Sequence, residues 1–302
     1  MKLKVGYVTI IGLPNAGKST LLNTLLGQKL SITTSKPQTT RKRILGILSD
    51  ENYQIIFLDT PGIMKPAYLL QEKMMDAVIQ SIKDADVILL ILDIALDPGG
   101  EQTLKDAFIY DLLSKSKKPK ILLLNKIDLS TQEQVNELIE KVSKTNYFNN
   151  VIPISSKPAY NVHSVINAII ECLPEGSKFY PDDSVSNENE RFFVAEIIRE
   201  KIFEHYKDEI PYSCEVLIAD FKELEGRKDF IQAEIVVEKE SQKGILIGSK
   251  GAALKKVGEE SRMAIEEFLQ RPVYIDLHVK VRNKRRTDES MLKSFGYSGK
   301  KE

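Results

Sequence analysis

The chain has 302 residues, 42% of them hydrophobic and 28% charged, which suits two globular domains with apolar cores and excludes a disordered or fibrous polymer. Forty-three Lys and Arg balance forty-three Asp and Glu, so overall charge gives no sign of a nucleic-acid partner. Two cysteines, Cys172 and Cys214, exclude a disulfide framework and suit a reducing cytoplasm, and three scattered histidines (His163, His205, His278) lack metal-ligand spacing.

The first element is a buried strand over residues 5–12. Its apolar run ends in Gly-Leu-Pro-Asn, not in a small-residue cleavage site, so it is not read as a leader. Gly12-Leu-Pro-Asn-Ala-Gly-Lys-Ser19 then fits G-x-x-x-x-G-K-[ST], and helical periodicity follows over 18–26. Glycines allow the backbone to approach a phosphate that any Cβ would obstruct. Backbone N–H groups of Gly12, Asn15, Ala16 and Gly17, with the helix start at Ser19 and Thr20, face the anion; Lys18 reaches terminal phosphates and Ser19 Oγ ligates Mg²⁺.

A second strand over 53–59 ends in Asp59-Thr-Pro-Gly62. An aspartate there can hold the outer shell of Mg²⁺, and Gly62 can offer its N–H to a γ-phosphate. A helix over 70–83, a strand over 87–93 and a helix over 101–115 follow. The apolar stretch 87–96 contains Asp93 and is too short to span a bilayer. The next strand, 120–125, ends in Asn125-Lys-Ile-Asp128. Guanine presents two adjacent donors, which one acceptor-only carboxylate, Asp128, can take together. Lys126 would lay its stem along the base and Asn125 would brace the phosphate loop; the competing reading makes Asp128 a cap for the helix near Thr131. A helix over 131–144, a strand over 151–154 and a helix over 161–172 complete an alternating pattern, which implies an α/β domain with a mostly parallel sheet covered on both faces. Ser155, Ser156 and Lys157 follow the last strand and would line the base pocket.

Residues 174–190 are polar and rich in breakers and read as a linker, dividing a domain over 1–173 from one over 191–302. The second domain reads as α+β: helix 191–205, strands 213–221 and 230–238, a glycine-rich turn, helix 251–269 and strand 272–281. Its G-x-x-G, Gly248-Ser249-Lys250-Gly251, is a weak signal alone. From Lys243 to Arg286, however, eleven Lys and Arg stand against five Asp and Glu, a basic face inside a neutral whole. Lys243, Lys250, Lys255, Lys256, Arg262, Arg282, Lys284, Arg285 and Arg286 are its RNA-contact candidates. The stretch 291–297 is read as a last helix packed on this domain.

Four nucleotide motifs in this order resemble the translation-factor-like GTPases. The phosphate-loop wording, the segment Lys36-Pro-Gln-Thr-Thr-Arg41 and Ile247-Gly-Ser-Lys-Gly251 resemble the Era-like family with a C-terminal KH domain, over nearly the whole chain. The resemblance implies a P-loop GTPase domain followed by a smaller type II KH domain. It further implies GTP/GDP and Mg²⁺ as ligands, the 3′ region of 16S rRNA and the 30S subunit as partners, and a cytoplasmic site of action that leaves peripheral membrane contact open. It makes Thr40 the Mg²⁺-binding, γ-phosphate-sensing threonine, with Thr39 as competitor, and makes Lys18, Thr40 and Gly62 the catalytic set. Ile63 stands where related GTPases carry a water-positioning glutamine, which implies slow turnover and K⁺ as an activating charge with Asn15 as a ligand. A GTP-regulated RNA-binding module with negligible turnover is the alternative.

Overall fold

The computed structural model describes residues 2–283 and 285–297. They form two compact units, one of residues up to 65 with 74–187, the other of 66–73 with 188 onward.

The first unit follows the expected alternation: β1 (Lys4–Ile11), α1 (Lys18–Leu26), β2 (Ile44–Ser49), β3 (Tyr53–Asp59), α2 (Leu69–Asp84, whose first turn groups with the second unit), β4 (Val87–Asp93), α3 (Glu101–Leu104), α4 (Ala107–Ser114), β5 (Lys120–Asn125), α5 (Gln132–Ser143), β6 (Asn150–Pro153) and α6 (Val162–Cys172). The strands lie in the order β2-β3-β1-β4-β5-β6, and only β2 runs antiparallel. Every residue of β4 is buried, as befits a parallel strand covered on both faces. Each such Ile or Leu stabilises the unit by roughly 1.5–3 kcal/mol.

Pairing brings Ile10 beside Asp59 and Asp93 beside Asn125, so the carboxyl ends of β1, β3, β4 and β5 share one edge. The phosphate-loop sequence leaves β1 between β3 and β4, where strand order reverses, the crevice in which open α/β sheets bind ligands.

The structure departs from the sequence expectations in particular places. Strand β2 has no counterpart among the elements the sequence predicts. The single helix over 101–115 is two, because Asp106 accepts the N–H groups of Phe108 and Ile109 and starts a new helix. Residues 174–187, expected as linker, run along the first unit: Val5 N–H bonds the Pro174 carbonyl at 3.0 Å and Ile47 N–H the Val185 carbonyl at 2.9 Å. Buried Gln54 accepts from the N–H groups of Phe179 and Tyr180 and donates to the Tyr180 carbonyl.

The second unit contains α7 (Glu190–His205), α8 (Ile210–Ser213), β7 (Glu215–Lys222), β8 (Asp229–Val237), α9 (Glu240–Ile247), α10 (Ala252–Leu269), β9 (Val273–Val281) and α11 (Glu289–Ser294). Its sheet runs β7-β8-β9, antiparallel then parallel. Ile231, Ala233, Ile235 and Val237, alternating along β8, meet Val194, Ile198, Val257 and Ile265 in the core. Helix α9 occupies what reads in sequence as a glycine-rich turn; its Leu246 is buried and the Leu246 carbonyl accepts the Tyr206 hydroxyl at 2.7 Å. Residues 66–73 belong here through the Leu70 N–H bond to the Arg286 carbonyl at 3.1 Å and the Arg286 guanidinium 5.1 Å from the Tyr68 ring centre.

Candidate active site and nucleic-acid interface

The loop between β1 and α1 is shaped by crowding. A Cβ at Gly12 would lie 2.4 Å from the Ile91 carbonyl oxygen, and one at Gly17 2.2 Å from Asn125 Nδ2. Helix α1 starts from left-handed Gly17 with no side-chain cap, which leaves first-turn N–H groups directed at whatever fills the loop. Lys18 is only 6% exposed, and its Nζ donates to the Gly12 and Leu13 carbonyls at 3.2 and 2.9 Å. Burial pulls its ammonium down to about 8, against the opposing pull of Asp59. A cavity of about 330 Å³ opens here, lined among others by Asn15, Gly17, Lys18, Ser19, Thr20, Thr40, Gly62, Leu96 and Lys126.

Ser19 and Thr40, far apart in sequence, meet at the wall of this cavity, with Asp59 buried behind them. Ser19 Oγ donates to Asp59 Oδ2 at 2.7 Å and lies 2.8 Å from Thr40 Oγ1. Thr39 also lines the cavity, but its hydroxyl is engaged elsewhere, donating to the Lys36 carbonyl at 2.9 Å and lying 3.0 Å from the Thr34 hydroxyl. Buried Ser31, which no sequence motif marked, donates to Asp59 Oδ2 at 3.0 Å. Burial pushes the Asp59 carboxyl up from its ordinary range, while the Ser19 hydroxyl and Lys18 pull it back. Asp59 Oδ1 is buried with no hydrogen-bond partner among the described residues. Two hydroxyls and a carboxylate with an unspent oxygen are hard oxygen donors that suit Mg²⁺. Gly62 abuts the phosphate loop, where a Cβ would sit 2.8 Å from Pro14 Cα. Ile63 is 2% exposed and its N–H bonds the Gly12 carbonyl at 3.0 Å, so its side chain is core and not a guide for water.

At the end of β5, Asn125 ties two loops together. Its Nδ2 donates to the Ala16 carbonyl at 2.8 Å, and its Oδ1 accepts the N–H and hydroxyl of Ser156 at 3.0 and 2.9 Å. Lys126 adopts left-handed backbone and pairs with Asp93 at 2.6 Å. Asp128 accepts the Ser155 hydroxyl, bringing the Asn125–Asp128 motif against the 155–157 loop. Thr131 caps α5 itself through a capping box with Gln134, so Asp128 is not the helix cap. Ser155 and Ser156 are buried and Lys157 is exposed.

In the second unit, Gly248-Ser249-Lys250-Gly251 joins α9 to α10, with Gly248, Lys250 and Gly251 all at positive φ. A Cβ at Gly248 would meet Ala253 Cβ at 2.7 Å, whereas at Gly251 it would meet nothing within 4 Å. A groove runs from Gly251 between α10 and β9, lined by Leu254, Lys255, Gly258, Arg262 and Tyr274, with Lys228 beside them. The fold thus joins Gly251, Lys255 and Arg262 and adds Lys228 and exposed Tyr274, which only strand pairing could bring into view. Lys243, Gly248, Ser249, Lys250, Lys256 and Arg282 do not line it, and Lys284 lies outside the described residues. Two basic candidates are structural instead. Arg285 is 0% exposed and pairs with buried Glu215 at 3.1 Å; Arg286 pairs with Glu238 at 2.7 Å. Helix α11 follows, with Leu292, Phe295 and Tyr297 buried, and the Tyr297 hydroxyl reaches the same Glu215 at 3.0 Å.

Comparison with known proteins gives the following. A family model described as "50S ribosome-binding GTPase" matches residues 7–126, and one described as "KH domain" matches residues 209–286. The chloroplastic GTPase ERA1 of Zea mays is 45% identical over 295 residues, covering 97% of this chain and 70% of that protein. The GTPase Era of Clostridium perfringens is 44% identical over 294 residues, covering 97% of this chain and 98% of its own. A point variant of Aquifex aeolicus Era bound to GDP·AlF4⁻ superposes with a TM-score of 0.91 at 39% identity, over 98% of this chain and 100% of that one. An Era structure in complex with MgGDPNP and nucleotides 1506–1542 of 16S ribosomal RNA gives the same score and identity over 98% and 99%.

Proposed function

The chain belongs to the Era family of GTPases, and on that footing we propose that it is a GTP-binding, GTP-hydrolysing switch protein that binds small-subunit ribosomal RNA and acts in assembly of the 30S subunit. The observation that carries the nucleotide half is the convergence of Lys18, Ser19 and Thr40 on one cavity, with buried Asp59 bonded to Ser19 behind them. On this reading Gly12, Asn15, Ala16, Gly17, Lys18, Ser19 and Thr20 hold the phosphates. Asn125, Lys126 and Asp128, with Ser155, Ser156 and Lys157, hold guanine.

Ser19 and Thr40 would hold Mg²⁺, with Asp59 in its outer shell, and the ion when bound supplies positive charge to phosphate oxygens. Lys18, short of partners other than loop carbonyls, exchanges them for terminal phosphate oxygens and is charged more readily there. The Gly62 N–H offers a donor to a γ-phosphate, with no side chain between it and the loop. Loss of that phosphate frees Thr40 and the segment after Gly62. The residue after Gly62 is the buried side chain of Ile63, which cannot orient water, and this supports slow intrinsic turnover. We further propose that K⁺ acts as an activating charge at this site. Asn15 lines the cavity and donates to the Ser35 carbonyl at 3.0 Å, a corner of amide oxygens suited to a monovalent cation.

The groove beside Gly251 supports the RNA half, since a G-x-x-G between two helices clamps about four nucleotides of single-stranded backbone. The two ribosomal descriptions among the relatives differ in subunit. The 16S complex is the better guide because that protein aligns over both units, whereas the 50S description belongs to a model of residues 7–126 alone. Residues 66–73 begin four positions beyond Gly62 and belong to the second unit, where Leu70 N–H bonds the Arg286 carbonyl and the Tyr68 ring lies against the Arg286 guanidinium; they give the switch a covalent route to the RNA-binding unit. Among the described residues no helix is long and apolar enough to cross a membrane; we place its action in the cytoplasm, with room for peripheral membrane contact.

The test is phosphate release from GTP together with crosslinking to RNA in cells, read to nucleotide resolution. Release that rises when K⁺ replaces Na⁺ and disappears in Lys18→Ala, with crosslinks in the 3′ region of 16S rRNA, is the expected result. RNA crosslinks without phosphate release would favour a GTP-regulated binding module; equal release in the two salts would remove K⁺.

A further inference from the structure

A carboxylate that belongs to none of the nucleotide motifs lies directly beneath them. Asp93 ends β4 and is 7% exposed. Its Oδ2 accepts Lys126 Nζ at 2.6 Å, and its Oδ1 accepts the N–H groups of Ala95 and Leu96 at 3.1 and 3.3 Å. The Ile94 N–H bonds the Asn125 carbonyl at 3.1 Å, so the ends of β4 and β5 are tied together one residue beyond their last pair. Lys126 and Leu96 both line the nucleotide cavity; Leu96, at 69% exposed, is a large apolar side chain with no core to fill.

We infer that Asp93 is a positioning residue for guanine-nucleotide binding, acting through Lys126. This rests on the nucleotide site proposed above. A lysine side chain has many rotamers to lose when its stem is laid along a base. A carboxylate at a buried strand end, itself fixed by two backbone N–H groups, holds the ammonium before the base arrives. The ordering cost is then met in the folded protein and not at binding, and such preorganisation is worth about 3–10-fold in affinity for one long side chain. The same carboxylate fixes the turn that presents Leu96, so one group sets both an apolar and a stem-like surface at the cavity wall.

Asp93→Asn keeps an oxygen for Ala95 and Leu96 but replaces the acceptor facing Lys126. Affinities for GDP and GTP are measured by titration calorimetry for the full chain, Asp93→Asn, Lys126→Ala and the double variant. The expected result is a loss of about 3–10-fold for both nucleotides in Asp93→Asn, falling on KM and sparing kcat. On the Lys126→Ala background the same change costs less than about 2-fold, because the pathway of action is already gone. Ribose 5′-triphosphate, which has no base, binds Asp93→Asn and the wild type alike. Lys126→Met, which keeps most of the stem but not the ammonium, matches Asp93→Asn and tests the idea should Asp93→Asn fail to fold. A full loss persisting on the Lys126→Ala background would make Asp93 merely structural and overturn the inference. Unchanged binding in Asp93→Asn or Lys126→Met would overturn it too, as would tighter binding, which would mean that the ion pair has to break for nucleotide to enter. A wild-type chain that binds no GDP would instead overturn the nucleotide site itself.

Discussion

Removing the Asn125 side chain should separate the phosphate loop from the base-binding loop. In Asn125→Ala the Ala16 carbonyl loses its donor and the Ser156 N–H its acceptor, both at buried positions. A buried backbone group left unpaired costs about 1–3 kcal/mol, so the change costs roughly 2–6 kcal/mol, with the lower end applying where water enters the space. At roughly 2–4 °C per kcal/mol for a unit of this size, even the lower end brings melting down by about 4–8 °C. Nucleotide contacts depend on both loops, and we expect GDP affinity to fall about 100-fold, or about 2.7 kcal/mol. Asn125→Asp separates the two contacts. It keeps an acceptor for Ser156 but sets a buried carboxylate oxygen against the Ala16 carbonyl, so nucleotide affinity and melting temperature both fall although the Ser156 contact survives. Gly17→Ala attacks the same brace from the other side, because its Cβ would stand 2.2 Å from Asn125 Nδ2. The double variant Gly17→Ala/Asn125→Ala should therefore lose less than the sum of the two single losses. Fluorescent-GDP titration and thermal melting of the nucleotide-free protein measure both quantities. GDP binding in Asn125→Ala within about threefold of wild type, or strict additivity in the double variant, would refute the brace.

Asp128→Asn should weaken GTP and favour xanthosine triphosphate, since an amide can donate where xanthine carries an acceptor in place of guanine's amine; an unchanged preference for GTP removes Asp128 from the base pocket. Thr40→Ala should reduce the Mg²⁺-dependence of binding a non-hydrolysable GTP analogue more than Thr39→Ala does, because the Thr39 hydroxyl is spent on the Lys36 carbonyl; a larger effect from Thr39 in a Mg²⁺ titration reverses the assignment. Gly251→Asp should fold, since its Cβ meets open space and aspartate tolerates positive φ, yet lose at least about tenfold in single-stranded RNA affinity with GDP binding intact. RNA titrations that show no loss would move the contact surface away from Gly251. Lys228→Ala should lower the salt dependence of RNA binding by about one phosphate contact; an identical slope would exclude Lys228 from the groove.

The sequence by itself determined the chemistry of the loops. Gly12 to Ser19, Asn125 to Asp128 and Gly248 to Gly251 are contiguous, and a contiguous motif encodes its own backbone turn and donors, so residue order alone carries them. The buried strands 87–93 and 120–125 were equally legible because an unbroken apolar run at that length has one stable place, the middle of a covered sheet. Tertiary structure decided what depends on partners. Thr39 and Thr40 are neighbours with the same hydroxyl, and only the approach of Ser19 to 2.8 Å distinguishes them. Ser31 and Asp93 carry no motif, yet strand order brings one to Asp59 and the other to Lys126. Charge was the poorest guide, because composition counts an arginine without its surroundings. Arg262 lines a groove, while Arg285 is buried against Glu215 and holds the chain that leads to α11. Helix α9 and strand β2 went unread because their signals are weak locally and strong only in place. Gly244 interrupts the one, and the other is stabilised by β3 on one side and by the returning 174–187 segment on the other. Motif chemistry is a property of neighbouring residues along the chain; which of two threonines meets Ser19 and which arginine faces a groove are properties of packing, which exists only after the chain has folded.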